Sequence, residues 1–534
     1  MSSSEMDPPV VQPPAPSMSV RAELHHDPTP GRAVDQRKLR LLFVGLMVGL
    51  LISELDQTVF ATALPTIVGE LGGVDHMLWV TTAYVLAGTV MMPVYGKLGD
   101  LVGRKMLFVA ALSIFVLGSV IGGLTPDMAG LIVGRAVQGL GGGGLLILIQ
   151  AIVADVIPAR ERAPYMSVIG AMFALSAVIG PFLGGWFAEG IGWRWSLWIN
   201  LPLGAVAIVL AATLLDGPTR SVDRVRVDVW GITALALAVT AIVLLASWGG
   251  TQYPWRSTVI ASVAAVAVLA SIAFVAAERR AAEPIIPLSL FRERDFTIAT
   301  LAGLVMAVAM FGAIGYVPTY LQMVTGLSAT RSGLVMLTLI FGVASATIVA
   351  AQVVSRTGRY KGLPILGTGI VAVALGLLST IQVETRLWVV GGFLFLLGVG
   401  IGCALEILVI IVQNTVAAAQ VGTATAATSF FREIGVTLGS ALVGTLFTSR
   451  LTILLADRLP GVAGDVDVNT LVPVRVRQLG EAARVPIVDS YHDALTPVFL
   501  YLVPLMVLST LALCFIRAVP LATTTGEPGS GDER

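Results

Sequence analysis

Fourteen long runs of apolar residues, separated by short polar segments, dominate this sequence. A helix needs about 20 apolar residues to cross the hydrocarbon of a bilayer, so the runs predict membrane-spanning helices. They lie near residues 40–64, 78–97, 105–124, 128–153, 165–188, 196–215, 228–248, 257–277, 297–321, 331–354, 362–382, 387–413, 423–447 and 495–517. We therefore expect an all-α protein embedded in a lipid bilayer.

The composition supports this class and removes others. Of the 534 residues, 56% are hydrophobic and only 12% are charged, against about 25% charged residues in soluble proteins. The formal net charge is zero, which gives no reason to expect a nucleic acid partner. Cys403 and Cys514 lie in apolar runs and the histidines are scattered, so neither a disulfide framework nor a metal site is predicted. No catalytic constellation and no cofactor motif is visible, and we do not expect an enzyme.

Lysine and arginine positions predict the orientation, because they are enriched in loops on the cytoplasmic side. With the N-terminus inside, the short inner loops carry 15 of them, including Lys97, Arg104 and Lys105. The short outer loops carry only four, namely Arg194, Arg256, Arg331 and Arg386. Both termini are therefore expected in the cytoplasm of a cell whose plasma membrane the chain crosses.

A weak internal repeat predicts how the helices are grouped. Gly358-Arg359 follows the tenth run as Gly103-Arg104 follows the second, eight runs earlier. Paired six-helix halves are typical of transporters, which bind substrate between them near the bilayer midplane. The expected organisation is a disordered tail (1–36), a six-helix bundle (37–216), two inserted helices (217–280), a second six-helix bundle (281–517) with a long outer loop at about 448–494, and a tail (518–534). The inserted helices carry no charge in their cores, which suits a lipid-facing or spacer role.

The segment Gly96-Lys97-Leu98-Gly99-Asp100-Leu101-Val102-Gly103-Arg104-Lys105 interrupts this apolar pattern with four charges and three glycines. It resembles the signature loop of the major facilitator superfamily, G-x-L-x-D-x-x-G-R-[RK]. A generic basic loop would explain Arg104 and Lys105 but neither Asp100 nor the glycine spacing. The resemblance implies the major facilitator fold. It also implies that Arg104 pairs with Asp155, and that Asp100 contacts a helix N-terminus in the other half and latches the outward-open state.

Charges inside membrane helices are costly and usually serve a function. Asp56 lies in Leu55-Asp56-Gln57-Thr58-Val59, which with Ala63-Leu64-Pro65 resembles the first-helix motif of the fourteen-helix drug:proton antiporters. The resemblance implies that Asp56 couples transport to protons. The alternative is a carboxylate permanently paired with Arg135 for structure. Glu54, two residues away, points to nearly the opposite helix face, where contact with a neighbouring helix is expected.

Arg135 begins Arg135-Ala136-Val137-Gln138-Gly139-Leu140-Gly141, which resembles the fourth-helix motif R-x-x-Q-G-x-G of the same family. A guanidinium is always charged, so Arg135 is able to hold Asp56 ionised or release it. The alternative is that Arg135 only donates to carbonyl groups of an adjacent helix.

The fifth run contains Gly180-Pro181-Phe182-Leu183-Gly184-Gly185, which resembles the antiporter motif G-x-x-x-G-P-x-x-G-G, with Ser176 in the upstream glycine position. In the superfamily this motif marks exporters. Pro181 weakens the helix, and Gly180, Gly184 and Gly185 allow bending and close packing, which suits a rocking interface. A simple proline kink remains the alternative.

Glu406 has no counterpart in the family pattern. It is expected either to bind a cationic substrate or to carry a second proton, unless it is a neutral acid hydrogen-bonded within the bundle. Arg432 and Glu433 resemble the thirteenth-helix F-R-Q-x-G pattern, with Glu433 in the glutamine position, and a structural role near the inner end of the span is expected. Aromatic residues expected to line a substrate cavity are Trp79, Tyr84, Phe173, Tyr316, Tyr320 and Phe341.

These features together predict a monomeric, proton-coupled exporter of hydrophobic or cationic small molecules. One alternative is a dedicated exporter of a single metabolite, lipid or siderophore. A nutrient symporter is disfavoured by the motif around Pro181. A non-transporting sensor or scaffold belongs to a different class and predicts no proton counterflow.

Overall fold

The computed structural model of this protein describes residues 36–72, 76–215, 228–250, 252–459, 476, 478–519 and 521. The predicted N-terminal tail (1–36) and C-terminal tail (518–534) lie almost entirely outside these residues, as does the loop at 216–227. Within the described part the chain is helical. The helices up to the predicted insertion are α1 (Gln36–Leu71), α2 (Met77–Val102), α3 (Arg104–Leu124), α4 (Met128–Val156), α5 (Arg162–Trp186), α6 (Trp195–Trp198) and α7 (Asn200–Leu214).

Nine α-helices follow within the described part of the chain. They are α8 (Val229–Trp248), α9 (Thr258–Glu278), α10 (Arg294–Ile314), α11 (Val317–Met323), α12 (Ala329–Thr357), α13 (Gly362–Leu378), α14 (Leu387–Thr415), α15 (Val421–Arg458) and α16 (Glu481–Cys514). Among the described residues, 13 helical stretches are long and apolar enough to cross a membrane. The 17-residue α13 adds a shorter apolar helix. Each of the predicted runs therefore falls on an apolar helix, or on two adjoining helices, of the described chain.

In the segment around 448–494, expected to be one long outer loop, the described residues are largely helical. Helix α15 continues to Arg458, and α16 begins at Glu481. Residues 460–475 and 477 lie outside the described ones. The sequence misled here because the helix ends carry charged residues such as Arg450 and Asp489, so the apolar run stops before the helix does.

The helices pack as two groups with an inserted pair. In the first group α1 packs on α5 and α7, and α4 packs on α2 and α3. In the second, α10 packs on α15, and α14 packs on α12 and α13. Between the groups α2 lies along α15, and α5 lies along α12. The inserted helices α8 and α9 pack on each other, and α8 also contacts α2 and α15.

The apolar core shows which end of the molecule is closed. At the end that carries the α2–α3 turn, here called the α2–α3 end, one continuous core joins both groups; it includes Leu148 and Ile152 of α4 with Ile407 and Ala424 of α14 and α15. At the opposite end, separate cores belong to each group. The groups are therefore sealed together at the α2–α3 end and stand apart at the other.

Gly96 permits the closest approach within this seal. A Cβ atom at Gly96 would meet the Cβ of Ala426 and would lie 2.8 Å from the carbonyl oxygen of Gly422 on α15. At Gly99, on the same helix, a Cβ atom would meet only side-chain atoms, at 3.3 and 3.5 Å.

We predict that Gly96→Ala loosens the α2–α3 end, because α2 and α15 must separate to make room for the methyl group. The loosening can be measured with a cysteine at the buried position Ile152, in a chain with Cys403 and Cys514 replaced by serine. The rate at which a thiol reagent labels that cysteine reports how often the α2–α3 end opens. The rate should rise several-fold with Gly96→Ala and change little with the matched Gly99→Ala. Equal rates in both variants would show that the contact at Gly96 does not hold this end closed.

Candidate functional site

A buried ion pair joins Asp56 of α1 to Arg135 of α4. The Asp56 side chain is completely buried, and that of Arg135 is 2% exposed. The carboxylate also accepts hydrogen bonds from Gln138 Nε2 at 3.0 Å and from Asn200 Nδ2 at 2.9 Å. Both carboxylate oxygens therefore have partners, which offsets much of the cost of burying the charge.

The rest of this network is equally well satisfied. Ser119 Oγ accepts hydrogen bonds from Gln138 Nε2 at 2.8 Å and from Asn200 Nδ2 at 3.1 Å. The guanidinium carbon of Arg135 lies 4.4 Å from the ring centre of Phe60 and 4.3 Å from that of Tyr84. Such cation–π contacts stabilise a desolvated guanidinium. The network thus joins five helices, α1, α2, α3, α4 and α7, around one buried polar cluster.

Asn200 is a member of this network whose part the sequence did not reveal. The available signal was a carboxamide within an otherwise apolar helix, but sequence alone does not show which face of α7 it occupies. In the structure it is 2% exposed and reaches Asp56.

The signature loop forms a second charged cluster at the α2–α3 end. Arg104 makes ion pairs with Asp100, at 2.9 Å, and with Asp155. Gly103 adopts a φ of +100°, a conformation that L side chains rarely adopt, so the tight turn that presents Arg104 needs glycine.

Asp100 connects this cluster to the second group of helices. Its carboxylate accepts hydrogen bonds from Gly422 N at 3.1 Å, Thr423 N at 2.7 Å and Thr423 Oγ1 at 2.8 Å. These donors belong to the first turn of α15, where the helix dipole favours a negative charge. The structure thus brings Gly96, Asp100, Gly103, Arg104 and Asp155 together at the closed end.

The predicted antiporter motif packs α5 against α1. A Cβ atom at Gly180 would collide with the side chain of Thr58, and one at Gly184 would lie 2.7 Å from the carbonyl oxygen of Val59. Gly185 has open space around it, and Pro181 is exposed. Because α1 and α5 belong to the same group, this contact does not lie in the interface between the groups, contrary to what the glycines had suggested.

A central cavity of about 1250 Å³ lies between the two groups. Its walls come from α1, α2, α4 and α5 on one side and from α10, α12, α14 and α15 on the other, and α8 also contributes. Drug-sized ligands occupy pockets of about 300–1,000 Å³, so this one is large enough for such a molecule. The inserted pair is therefore more than a spacer, since Val243, Ala246 and Ser247 of α8 line the cavity.

Four charged residues face this cavity: Glu54, Glu406, Arg432 and Glu433. No ion pair within 4.0 Å joins any of them to a charged group of the described chain. The Oε2 atom of Glu406 is buried without a hydrogen-bond partner. Asp56 and Arg135 are not among the lining residues. Of the three residues predicted to couple protons, Asp56 and Arg135 therefore form a buried pair away from the cavity, and only Glu406 lines the cavity.

Two expectations about these charges need correction. Glu54 does occupy the helix face opposite Asp56, but that face is the one that lines the cavity. Arg432 and Glu433 lie near the middle of the span, because Arg432 is about 17 Å along α15 from Val421 at 1.5 Å per residue.

The predicted aromatic lining is only partly found in the cavity. Tyr84, Phe173 and Tyr316 line it. Phe341 is 67% exposed on the outer surface of α12, Tyr320 donates to or accepts from His492 Nδ1 at 2.9 Å, and neither they nor Trp79 line the cavity. Aromatic lining residues that sequence reasoning missed are Trp255, Phe311, Phe447 and Tyr491. An aromatic residue in an apolar run carries no signal that separates a cavity face from a lipid face.

Comparison with known proteins agrees with this architecture. The family described as Major Facilitator Superfamily matches residues 46–440. An uncharacterized MFS-type transporter of Mycobacterium tuberculosis is 39% identical over 482 residues, which cover 90% of this chain and 70% of that protein. Multidrug transporter protein MdtP of Bacillus subtilis is 35% identical over 424 residues, covering 79% of this chain and 78% of MdtP. Multidrug resistance protein 3 of the same organism is 30% identical over 500 residues, covering 92% of this chain and 97% of that protein.

Solved structures share the fold. The human organic anion transporter MFSD10 (TETRAN) superposes with a TM-score of 0.57 at 16% identity, covering 89% of this chain and 99% of that one. The proton:xylose symporter XylE superposes with a TM-score of 0.58 at 13% identity, covering 92% of this chain and 98% of XylE. These findings confirm the predicted superfamily and the all-helical transporter fold.

We predict that Asp56→Asn destabilises the protein strongly, because it leaves the Arg135 charge buried without its counter-ion. Breaking a buried pair in this way costs about 3–5 kcal/mol. Thermal unfolding in detergent should show a clear fall in the melting temperature, which the double variant Asp56→Asn/Arg135→Gln should partly restore. The matched Asp155→Asn, whose side chain is 54% exposed, should change it much less. Equal melting temperatures for Asp56→Asn and wild type would contradict the role of this pair.

Proposed function

Because the chain belongs to the Major Facilitator Superfamily, we propose that it exports hydrophobic or cationic small molecules in exchange for protons. The central observation is a large cavity between two groups of helices, closed at one end and carrying charged groups at its centre. Such a site becomes accessible from the two sides of a membrane in turn when the groups rock against each other.

Within the superfamily, we assign the chain to the fourteen-helix drug:proton antiporters. The first-helix motif around Asp56, the fourth-helix motif around Arg135 and the antiporter motif around Pro181 support this assignment. Two relatives are named for multidrug transport or resistance. Among the described residues, the 13 long apolar helical stretches and the shorter α13 fit the number of spans in the same subgroup.

The proposed orientation places the α2–α3 end in the cytoplasm, following the lysine and arginine distribution. Both termini are then cytoplasmic, and the protein acts as a monomer in the plasma membrane. In this frame the cavity opens outward, and Asp100 latches the closed cytoplasmic end by binding the first turn of α15. Opening that end requires those three hydrogen bonds and the apolar seal to break.

We assign different roles to the buried Asp56–Arg135 pair and to the residues that line the cavity. Asp56 and Arg135 form the ionised pair that the coupling machinery requires, and Glu406 exchanges protons or binds cations in the cavity. Tyr84, Phe173 and Tyr316 offer apolar and cation–π contacts to a substrate. One elementary charge that crosses 100 mV releases about 2.3 kcal/mol, which sustains roughly a fifty-fold gradient of a neutral solute.

A dedicated exporter of one metabolite, lipid or siderophore is the second candidate. The observation that favours it is Glu406, whose buried oxygen lacks a partner and which has no equivalent in the expected family pattern. Deletion of the gene followed by untargeted export profiling separates the two, because a dedicated exporter causes one compound to accumulate. A sensor or scaffold would instead leave all exported compounds unchanged.

We predict that purified protein in liposomes moves protons when it transports tetraphenylphosphonium, a lipophilic cation. The expected result is uptake of the cation together with a pH change of opposite direction, reported by a dye trapped in the liposomes. Glu406→Gln should lower the proton signal or the affinity for the cation, since it removes a cavity carboxyl. Cation uptake with no proton movement in wild type would contradict proton coupling. Empty liposomes supply the control for passive entry.

A further inference from the structure

The first-helix motif acid and the cavity are separated in this structure. Asp56 is fully buried and bonded to Arg135, Gln138 and Asn200, so no water in the cavity reaches its oxygens. Tyr84 lies between them, with its ring over Arg135 and its hydroxyl 3.1 Å from Ser53 Oγ. A proton that enters from the cavity therefore meets other acids first.

Glu54 is the acid of α1 that does face the cavity. Arg432 and Glu433 line the same cavity from α15, and Glu406 lines it from α14. The cavity wall thus holds one guanidinium and three carboxyl groups, which leaves two negative charges in excess when all three are ionised.

Among the described residues that line the cavity, Arg432 is the only lysine or arginine. Ser176 and Phe173 of α5 are neutral, and Arg135 of α4 is already paired with Asp56 behind Tyr84. The other titratable groups on the cavity wall are the tyrosines Tyr84, Tyr316 and Tyr491. An excess of carboxylates in an apolar interior is costly unless a proton or a cationic ligand neutralises it.

A second feature of the wall points to a ligand. Ser429 and Ser176 line the cavity, are 2% and 1% exposed, and have hydroxyl groups without hydrogen-bond partners. Ser429 lies one turn before Arg432 and Glu433 on α15. Buried polar groups in native proteins usually have partners, so these hydroxyls are free to bind one that enters the cavity.

Resting on the proton-coupled export proposed above, we propose that Glu54 and Glu433, which face the same cavity from the two groups of helices, carry the exchangeable proton of this transporter. A cationic substrate displaces that proton, and Glu406 contributes to the same site. Asp56 remains ionised throughout and acts as a positioning residue that holds Arg135 and Tyr84.

The exchange conserves charge. The O–H bond of the protonated carboxyl breaks, the proton passes to water in the open cavity, and the carboxylate left behind pairs with the arriving monovalent cation. Because Glu54 belongs to the first group of helices and Glu433 to the second, rocking of the groups changes their separation and so changes how strongly the site holds a proton. The side of the membrane from which the cavity is accessible is thereby coupled to the proton affinity of the Glu54–Glu433 site.

The test measures tetraphenylphosphonium binding to the full-length protein in weakly buffered detergent solution, with a pH dye to record released protons. Wild type should release protons on binding, and its affinity should rise by up to about tenfold per pH unit while the site is protonated. Glu54→Gln should release few or no protons and bind with little dependence on pH. Glu433→Gln should weaken both effects, and the matched Glu384→Gln, exposed in the α13–α14 loop, should behave as wild type.

Two outcomes separate the proposals. If wild type binds the cation at every pH tested without releasing protons, the proposed proton-coupled function fails. If wild type releases protons and folded Glu54→Gln releases as many, only the assignment to Glu54 fails. The positioning role of Asp56 predicts pH-dependent binding in the fraction of Asp56→Asn, or of Asp56→Asn/Arg135→Gln, that elutes as folded protein. The proposal would be overturned if binding to the folded Asp56 variants no longer depended on pH while binding to Glu54→Gln still did.

Discussion

The ion pair between Asp56 and Arg135 shows how this chain keeps charges inside an apolar interior. A buried charge is tolerated only when it is paired and hydrogen-bonded, and here Gln138, Asn200 and the two aromatic rings complete the shell. Because the pair ties α1 to α4, it also fixes the face that α1 turns to the cavity. The position of Glu54 in the cavity wall is a consequence of that fixed face.

The same constraint explains the other two charged regions. At the α2–α3 end, Asp100 is stabilised by Arg104 and by backbone N–H groups of α15, so a polar contact closes the molecule where the apolar cores of both groups merge. In the centre, the charges have no such partners and face open space instead. Charges that are satisfied by the protein hold the structure together, and those that are not remain available to protons and ligands.

Much of this arrangement was predictable from the sequence. Apolar runs predicted the spans, because a bilayer demands about 20 apolar residues for each. The sequence motifs singled out Asp56, Arg135, Asp100 and Arg104, which the structure places in two charged clusters. The sequence did not reveal which face of each helix borders the cavity, since lipid and a ligand cavity both accept apolar and aromatic residues. Phe341 and Glu54 were misjudged for that reason, and the ends of α15 and α16 were missed because helices continue beyond the hydrocarbon.

The central claim is that the acids that face the cavity change protonation during transport while the sealed acid does not. Infrared difference spectroscopy tests this directly, because the carbonyl stretch of a protonated carboxyl is resolved from that of a carboxylate. On a change from acid to alkaline pH, wild type should lose a protonated carboxyl band. We predict that this band is absent from Glu54→Gln and present in folded Asp56→Asn. A band that survives in Glu54→Gln and disappears in Asp56→Asn would contradict the account.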